Sequence, residues 1–299
     1  MNVLPRRDEP NGRRHIAASI EMTPKQAIDT ADLPGLFPAG TRVYLADLGG
    51  PDRAQVTAAR RLRELGYEPV PHLAARRLTT VAALEDHVAA LAGEAGVADM
   101  LVVGGGAARP AGSFASSLSV LETGLLDRYA IREVGVAGHP EGSPDFPESV
   151  AVEILRLKQA FGERTGVNLR IVTQFGFDAD RAIAWAAGLG EHGIDLPVHL
   201  GVAGPAKLTT LLKYAAMCGV GNSIGFLRKR ALSLGALASN QSPETVVGPI
   251  EAHWRANPGS PIEQIHVFPF GGIEKAAEWL AARGTWGEDR ASPSAIASR

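Results

Sequence analysis

Short apolar runs alternate with amphipathic helical patterns along most of the sequence, and this alternation constrains the fold more than any other feature. The apolar runs predict strands that begin near Ile16, Arg42, Glu68, Asp99, Glu133, Leu169, Pro197 and Gln264. The stretches between them predict helices over 52–65, 80–95, 149–161, 180–189 and 206–217. Repeated βα units at spacings of roughly 25–35 residues predict an α/β protein with a closed (β/α)8 barrel of the TIM type. A doubly wound open sheet is the alternative, because periodicity does not show whether a sheet closes.

The spacing widens to about 65 residues between the seventh and eighth predicted strands, which is more than one βα unit needs. We expect extra helices there, near Ile224–Leu232 and Pro243–Ala256. The 299 residues with 45% hydrophobic content are enough for one large core. The sequence therefore predicts a single barrel domain over 15–284, with a flexible polar arm at 1–14 and a flexible tail at 285–299.

Composition argues against several classes of function. The chain has 30 basic and 32 acidic residues and a net charge of −2, so it presents no strong field for nucleic acid or an anionic membrane. It contains no run of 18 apolar residues and its first residues are charged, which favours a cytoplasmic protein without a membrane span. The single cysteine, Cys218, excludes an intrachain disulfide, and its apolar helical surroundings predict a packing role.

Polar residues stand at the carboxyl ends of several predicted strands, where barrel enzymes bind their ligands. A closed barrel would bring five of them to one mouth: Glu21, Asp47, His72, His139 and Gln174. This is an acid/base and hydrogen-bonding set suited to a polar ring compound. In a simpler interpretation Gln174 caps its strand and the phenylalanines that follow it pack under the next helix.

Two other patterns have structural alternatives. A metal centre built from His72, His139, His199 and His266 with Glu21 or Asp47 lacks the His-x-His pair of such barrels, so we expect no metal. His199 and His266 are also compatible with hydrogen-bonded histidines inside strands. Gly104-Gly105-Gly106 lacks the spacing of a phosphate-binding loop, and it indicates close approach of the backbone to a ligand or a neighbouring loop.

Four stretches, in this order, resemble the methylenetetrahydrofolate reductase family over about residues 15–283. They are 19–21 followed by Pro24, Pro71-His72-Leu73, 137–141 with Pro144, and 171–178, which contains Thr-Gln-Phe-Gly-Phe-Asp. The resemblance implies a (β/α)8 barrel that reduces 5,10-methylenetetrahydrofolate to 5-methyltetrahydrofolate. In the family, hydride usually passes from NAD(P)H through bound FAD.

The resemblance also implies roles for single residues. Glu21 matches the general acid near folate N10, and Gln174 matches the glutamine that reads the pterin, with Thr173 and Phe175 beside it in the substrate site. Tyr214 falls where an aromatic side chain stacks on folate or nicotinamide. On the cofactor side, His72 falls on a flavin-side histidine, and the other positions there are occupied by His139, Gly104, Gly105 and Gly106. A general acid needs its proton near neutral pH, so we expect the apolar neighbours of Glu21 to raise its pKa.

The departures from the family pattern lie mostly at positions where members of the family bind their flavin. Gly104-Gly105-Gly106 replaces Arg-Gly-Asp, His139 replaces a tyrosine that covers the flavin, and Ala46 replaces a threonine. Arg76, Arg77 and Arg109 remain as sources of positive charge. We therefore expect weak FAD binding or none, with hydride passing directly from NAD(P)H to the folate, or back in the reverse oxidation.

The alternative is a non-redox tetrahydrofolate-binding barrel or a methyltransferase partner. The sequence leaves open NADH or NADPH, the direction of the reaction and a homo-oligomeric state.

Overall fold

The computed structural model describes residues 15–47, 49, 52–143, 145–218 and 240–286. Eight parallel strands form a closed barrel in the order β1-β2-β3-β4-β5-β6-β7-β10, with β10 pairing with β1. The barrel strands are β1 (Ala17–Met22), β2 (Arg42–Leu45), β3 (Glu68–Ala74), β4 (Asp99–Val103), β5 (Glu133–Gly138), β6 (Asn168–Gly176), β7 (Val198–Ala203) and β10 (Ile262–Phe268). A small antiparallel pair, β8 (Ala206–Lys207) and β9 (Asn240–Gln241), lies outside the barrel. The predicted barrel is confirmed, and the open-sheet alternative is wrong.

The helices follow the strands as the sequence predicts. They are α1 (Pro24–Asp29), α2 (Asp52–Glu64), α3 (Val81–Ala95), α4 (Ser117–Leu121), α5 (Leu125–Arg128), α6 (Glu148–Thr165), α7 (Ala179–Gly188), α8 (Leu208–Met217), α9 (Glu244–Ala256) and α10 (Ile273–Ala282). Of the two extra helices, the second is confirmed as α9. The one predicted near 224–232 lies outside the described residues, as do the predicted arm at 1–14 and the tail from 287 onward.

Local sequence signals explain where these helices begin and end. The Thr80 side chain accepts a hydrogen bond from the Ala83 N–H at the start of α3, and Gly96 ends that helix with φ 59°. Gly166 ends α6 in the same left-handed conformation, with φ 77°. An N-cap hydroxyl satisfies an otherwise unbonded amide, and glycine adopts positive φ at little cost. These signals fix the lengths of the βα units.

Two packing layers result. The larger core lies between the outer face of the barrel and the surrounding helices, and it includes Ile20, Leu62, Val88 and Leu280. Inside the barrel a smaller apolar cluster consists of Tyr44, Val70, Leu101 and Val172. Buried polar side chains fill the rest of the interior, and they are described below. No helix in the described part of the chain combines the length and apolar character needed to cross a membrane.

Candidate functional site

Three side chains from separate strands meet at the barrel mouth. Glu21 on β1 places Oε2 3.5 Å from Nε2 of His72 on β3 and 3.6 Å from Nε2 of His266 on β10. The Glu21 side chain is 21% exposed, whereas the His266 side chain is fully buried. Neither Nε2 atom makes a hydrogen bond of normal geometry within the described structure. The carboxylate and two imidazoles therefore form one cluster, in which both Nε2 atoms are buried and Glu21 is partly exposed.

The electrostatics of the cluster differ from the expectation for Glu21. Burial acts to raise the pKa of Glu21, but the polar contact with His266 and positive charge on His72 and His266 outweigh it, and the pKa is lowered. The predicted rise is therefore wrong for the free protein, because the expectation considered only the apolar neighbours of Glu21 and not the two histidines that face it. Burial also lowers the pKa of His72, although Glu21 opposes that effect.

Ser19 and Tyr44 hold His266 in place. The Ser19 Oγ lies 3.1 Å from His266 Nδ1 and donates a hydrogen bond to the Ile265 carbonyl. The Ser19 hydroxyl therefore fixes the orientation of the imidazole, with Nε2 directed toward Glu21. The Tyr44 ring lies beneath, with its centroid 4.3 Å from that of His266. His266 does lie within its strand, but the interpretation as a fully hydrogen-bonded core residue is wrong.

The Thr173-Gln174 pair lies on β6, where the register with β7 shifts between Val172 and Phe175. The Thr173 hydroxyl accepts from the Gly201 N–H at 2.8 Å and donates to the Gln174 carbonyl at 2.9 Å. The Gln174 Oε1 accepts from the Phe175 N–H at 3.2 Å, and among the described residues none accepts from its side-chain nitrogen. The bulge thus presents a half-buried amide with free donors.

Aromatic side chains form one wall beside this pair. Tyr214 of α8 stacks on Phe270 with centroids 4.1 Å apart and an interplanar angle of 15°. Phe270 contacts Phe175 at 4.7 Å and Phe268 at 5.7 Å. Phe175 packs with residues of α8, such as Leu208. The simpler interpretation, in which the phenylalanines pack under the next helix, therefore gives the right role but the wrong helix, because the helix that follows β6 is α7. A flat aromatic wall suits a planar ring system.

Sequence reasoning missed three of these site residues: His266 as a partner of Glu21, and Phe268 and Phe270 as part of the wall. A signal was present, because His266-Val-Phe-Pro-Phe places one imidazole and two phenylalanines at the end of the last strand. Alternation along β10 points His266 and Phe268 to the same side. The sequence could not show that β10 closes the barrel beside β1.

His139 occupies a separate recess outside the contacts of Glu21. Its ring lies edge-on to Phe146, with centroids 5.2 Å apart, and its pKa is lowered by burial and by the charge of Lys158. The expected convergence of five polar residues is therefore only partly observed. Asp47 accepts from the Ala74 N–H and pairs with Arg77, near His72 rather than in the cluster.

The triple glycine lies against the loop that follows β3. Gly105 has φ 84°, and a Cβ on it would lie 3.1 Å from the Ala74 Cβ, while the Gly104 carbonyl accepts from the Arg76 N–H. The Arg76 side chain donates to the carbonyls of Ala107 and Ala115. The structure therefore supports the interpretation that the glycines lie close to a neighbouring loop. The Arg76 side chain is hydrogen-bonded to backbone carbonyls of the chain itself.

Cys218 directly follows α8 and is exposed, so its predicted packing role is wrong. The pKa of its thiol is raised by partial burial and by the negative charge of Glu21. The thiol therefore lies near the cluster at the mouth. Within the described ranges, no group of three His, Cys, Asp or Glu side chains has the arrangement of a metal site.

Comparison with known proteins finds a partial sequence similarity. No protein-family model matches it. Methylenetetrahydrofolate reductase 1 of Schizosaccharomyces pombe is 34% identical over 88 residues, which are 29% of this chain and 14% of the yeast protein. Over these 88 residues the chain is similar to a methylenetetrahydrofolate reductase. The match spans about one seventh of the length of that relative.

One solved structure supports the fold. An uncharacterized protein from Clostridium thermocellum, which binds two copies of 5-methyl-5,6,7,8-tetrahydrofolic acid, aligns with a TM-score of 0.53 at 13% identity. The alignment covers 90% of this chain and 94% of that one. Dihydropteroate synthase from Thermus thermophilus aligns with a TM-score of 0.45 at 13% identity, over 90% of this chain and 93% of the other. At this identity the first comparison establishes the shared barrel.

Proposed function

We propose that the chain binds a reduced folate at the barrel mouth and transfers hydride between NAD(P)H and the 5,10-methylene group. In the forward direction this reaction yields 5-methyltetrahydrofolate and NAD(P)⁺. The observation that supports it most is the Glu21–His72–His266 cluster at the position of the family's general acid. The aromatic wall and the Gln174 amide beside it suit the pterin, and the folate bound by the Clostridium thermocellum protein of the same fold agrees with this substrate class.

The cluster suggests how the proton is delivered. In the free protein the two histidines hold the pKa of Glu21 below its usual value, so the side chain is a carboxylate at neutral pH. A folate that covers the mouth removes water and raises the pKa of Glu21, which favours the protonated carboxyl. Glu21 then donates its proton to N10.

Proton transfer and hydride transfer complete the reaction in that order. Protonation of N10 breaks its bond to the methylene carbon and leaves an iminium at N5. Hydride from C4 of the nicotinamide adds to that carbon and forms the methyl group. The protein contributes proton delivery and alignment of the two carbons. In the reverse reaction the same groups take up the proton that N10 releases.

The first prediction concerns Glu21. Glu21→Gln should reduce turnover at least about a hundredfold because general acid catalysis is lost, while binding of 5-methyltetrahydrofolate persists. Stopped-flow absorbance of NADH or NADPH measures turnover, and calorimetry measures folate binding. Glu64→Gln, at an exposed position on α2, is the matched control. Turnover close to that of the native protein in Glu21→Gln would refute the role of this carboxyl.

The second prediction concerns the flavin. We propose that hydride passes without FAD, because the end of β4 offers glycines, Arg76 holds two backbone carbonyls and Arg77 faces Asp47. A flavin pyrophosphate and ring need charge-assisted bonds, each worth about 1.5–3 kcal/mol. Purified protein should therefore be colourless, and added FAD should leave the rate unchanged. A yellow preparation whose activity depends on its flavin would overturn this part of the proposal.

A non-redox folate-binding barrel or methyltransferase partner is the second candidate, favoured by the missing charges at the end of β4. It retains folate binding but predicts no oxidation of NADH or NADPH by methylenetetrahydrofolate and no reverse reaction with 5-methyltetrahydrofolate. The two candidates therefore separate in a single absorbance experiment run in both directions.

A further inference from the structure

His266 on β10 bridges two side chains of the neighbouring strand β1. Alternation along β1 directs Ser19 and Glu21 to the same face, opposite to Ile20, which packs in the outer core. The register pairs Ser19 with His266 across the two strands. The Ser19 Oγ lies 3.1 Å from Nδ1 of the imidazole, and the Glu21 Oε2 lies 3.6 Å from Nε2. One ring nitrogen therefore meets each of these two residues.

The imidazole of His266 is also held by the rings around it. Its centroid lies 4.3 Å from that of Tyr44 and 4.7 Å from that of Phe268. The side chain is fully buried. Because a protein interior is close-packed, the ring cannot turn without displacing one of these neighbours. Nε2 therefore has a fixed position behind the Glu21 carboxylate.

His72, the second imidazole near Glu21, lies at a more open place. Its side chain is 14% exposed, and its ring centroid is 6.0 Å from that of Tyr44. The interior support of the carboxylate is therefore His266. Since the Nε2 of His266 is buried and Glu21 is partly exposed, a ligand in the mouth meets the carboxyl, and the histidine acts on the ligand through Glu21.

We propose that His266 is the positioning residue of Glu21: anchored by Ser19, it holds the carboxyl in the orientation from which N10 of a folate is protonated. The catalytic part of this role rests on the proposed function. The ionisation of Glu21 agrees with the geometry. Burial acts to raise the pKa of Glu21, and the polar contact with His266 is the largest of the effects that lower it.

The other titratable groups near this pair come from four different parts of the chain. They are Tyr44 of β2, His72 of β3, His199 of β7 and Cys218 after α8. Within the described ranges, His72 is the one group besides His266 that lowers the pKa of Glu21. Replacement of His266 alone therefore leaves the effect of His72 in place, and the contribution of His266 can be measured by itself.

Two amide substitutions separate the two contacts of the ring. An asparagine amide reaches about as far as Nδ1, whereas the glutamine nitrogen lies at about the position of Nε2. His266→Asn should therefore lose the contact with Glu21, raise the pKa of that carboxyl and reduce kcat about a hundredfold. His266→Gln should retain a donor to Glu21, show a smaller rise in the pKa and keep kcat within about tenfold of the native value.

The pKa of Glu21 is measurable without folate and without turnover. Carbon-13 NMR of the full-length protein with labelled glutamate gives it, and Glu21→Gln assigns the signal. The pH dependence of kcat/KM is the second readout. Because the protonated carboxyl is the acid, the rate falls as pH rises through its pKa. This fall should move to higher pH in the order native, His266→Gln, His266→Asn. His192→Gln, at an exposed position after α7, should match the native protein.

The outcomes separate the positioning role from packing and from the reaction. An unchanged pKa of Glu21 in His266→Asn would overturn the proposal. Equal losses of kcat in His266→Asn and His266→Gln would also overturn it, since they would identify His266 as a packing residue. A raised pKa in a protein that binds 5-methyltetrahydrofolate but oxidises neither NADH nor NADPH would retain the contact between His266 and Glu21 and refute the proposed function.

Discussion

At the scale of single residues, the ionisation of the mouth depends on which side chains face each other. Glu21 lies near two histidines that lower its pKa, and it acts in turn on the only cysteine of the chain. Burial and the Glu21 charge together raise the pKa of the Cys218 thiol. The reactivity of the Cys218 thiol therefore reports the charge of Glu21, and it can be measured without an activity assay.

The third prediction uses this reporter. Glu21→Gln should lower the pKa of the Cys218 thiol, since the negative charge that opposes thiolate formation is gone. At pH below the native thiol pKa, iodoacetamide should therefore alkylate the variant faster, and the pH–rate profile should move to lower pH. Mass spectrometry of the alkylated protein measures the rate, with Glu64→Gln as the control. An unchanged pH profile would show that Glu21 is not charged near Cys218.

At the scale of secondary-structure elements, the site depends on the close approach of β6 and β7. Gly201 on β7 donates to Thr173, and a Cβ on Gly201 would lie 2.5 Å from the Thr173 carbonyl oxygen and 2.6 Å from the Gln174 carbonyl carbon. These are backbone atoms of the bulge that presents the Gln174 amide. Only glycine allows the two strands this contact.

The fourth prediction follows from that contact. Gly201→Ala should destabilise the protein by about 2 kcal/mol or more, because the strands must separate, and it should weaken folate binding through Gln174. Urea unfolding and calorimetry measure the two effects. Gly188→Ala is the control, since a Cβ there meets no atom within 4 Å and alanine favours the end of α7. Native-like folate affinity in Gly201→Ala would show that the bulge does not position the amide.

At the scale of the whole molecule, the barrel interior is polar at both ends. At the end opposite the mouth, Arg170 donates to Asp99 at 2.8 Å and to the Tyr44 hydroxyl at 3.1 Å. Arg42 contacts Asp99 at 3.4 Å and Glu133 at 2.7 Å. These residues join β2, β4, β5 and β6 across the barrel. Tyr44 links this floor to the mouth, because its ring packs against His266.

The fifth prediction concerns the floor. Burial raises the pKa of Asp99 to about 6, despite Arg170. Protonated Asp99 therefore contributes to the free energy of unfolding. This contribution is fully present below about pH 4 and is lost as pH rises through 6. Asp99→Asn does not titrate, so from pH 4 to 7 its stability should rise relative to the native protein by about 2 kcal/mol. Urea unfolding across this range, with the exposed Asp86→Asn as control, measures the difference. A pH-independent difference would contradict the raised pKa.

Much of the architecture was predictable because it depends on local patterns. Apolar runs, helix caps such as Thr80 and stop signals such as Gly96 act over a few residues, so strand starts and helix bounds follow from the sequence. The positions of Glu21 and Gln174 at strand ends follow from the same patterns once the sheet is parallel. The family motifs were recognisable for the same reason, since each lies within a single strand and its loop.

Tertiary structure alone decided which of these residues touch. Glu21 and His266 are 245 residues apart in the sequence, and they meet because β10 closes the barrel beside β1. That closure lowers the pKa of Glu21, whereas the apolar neighbours of Glu21 in the sequence predicted a rise. Ionisation depends on distance and burial, and sequence separation determines neither.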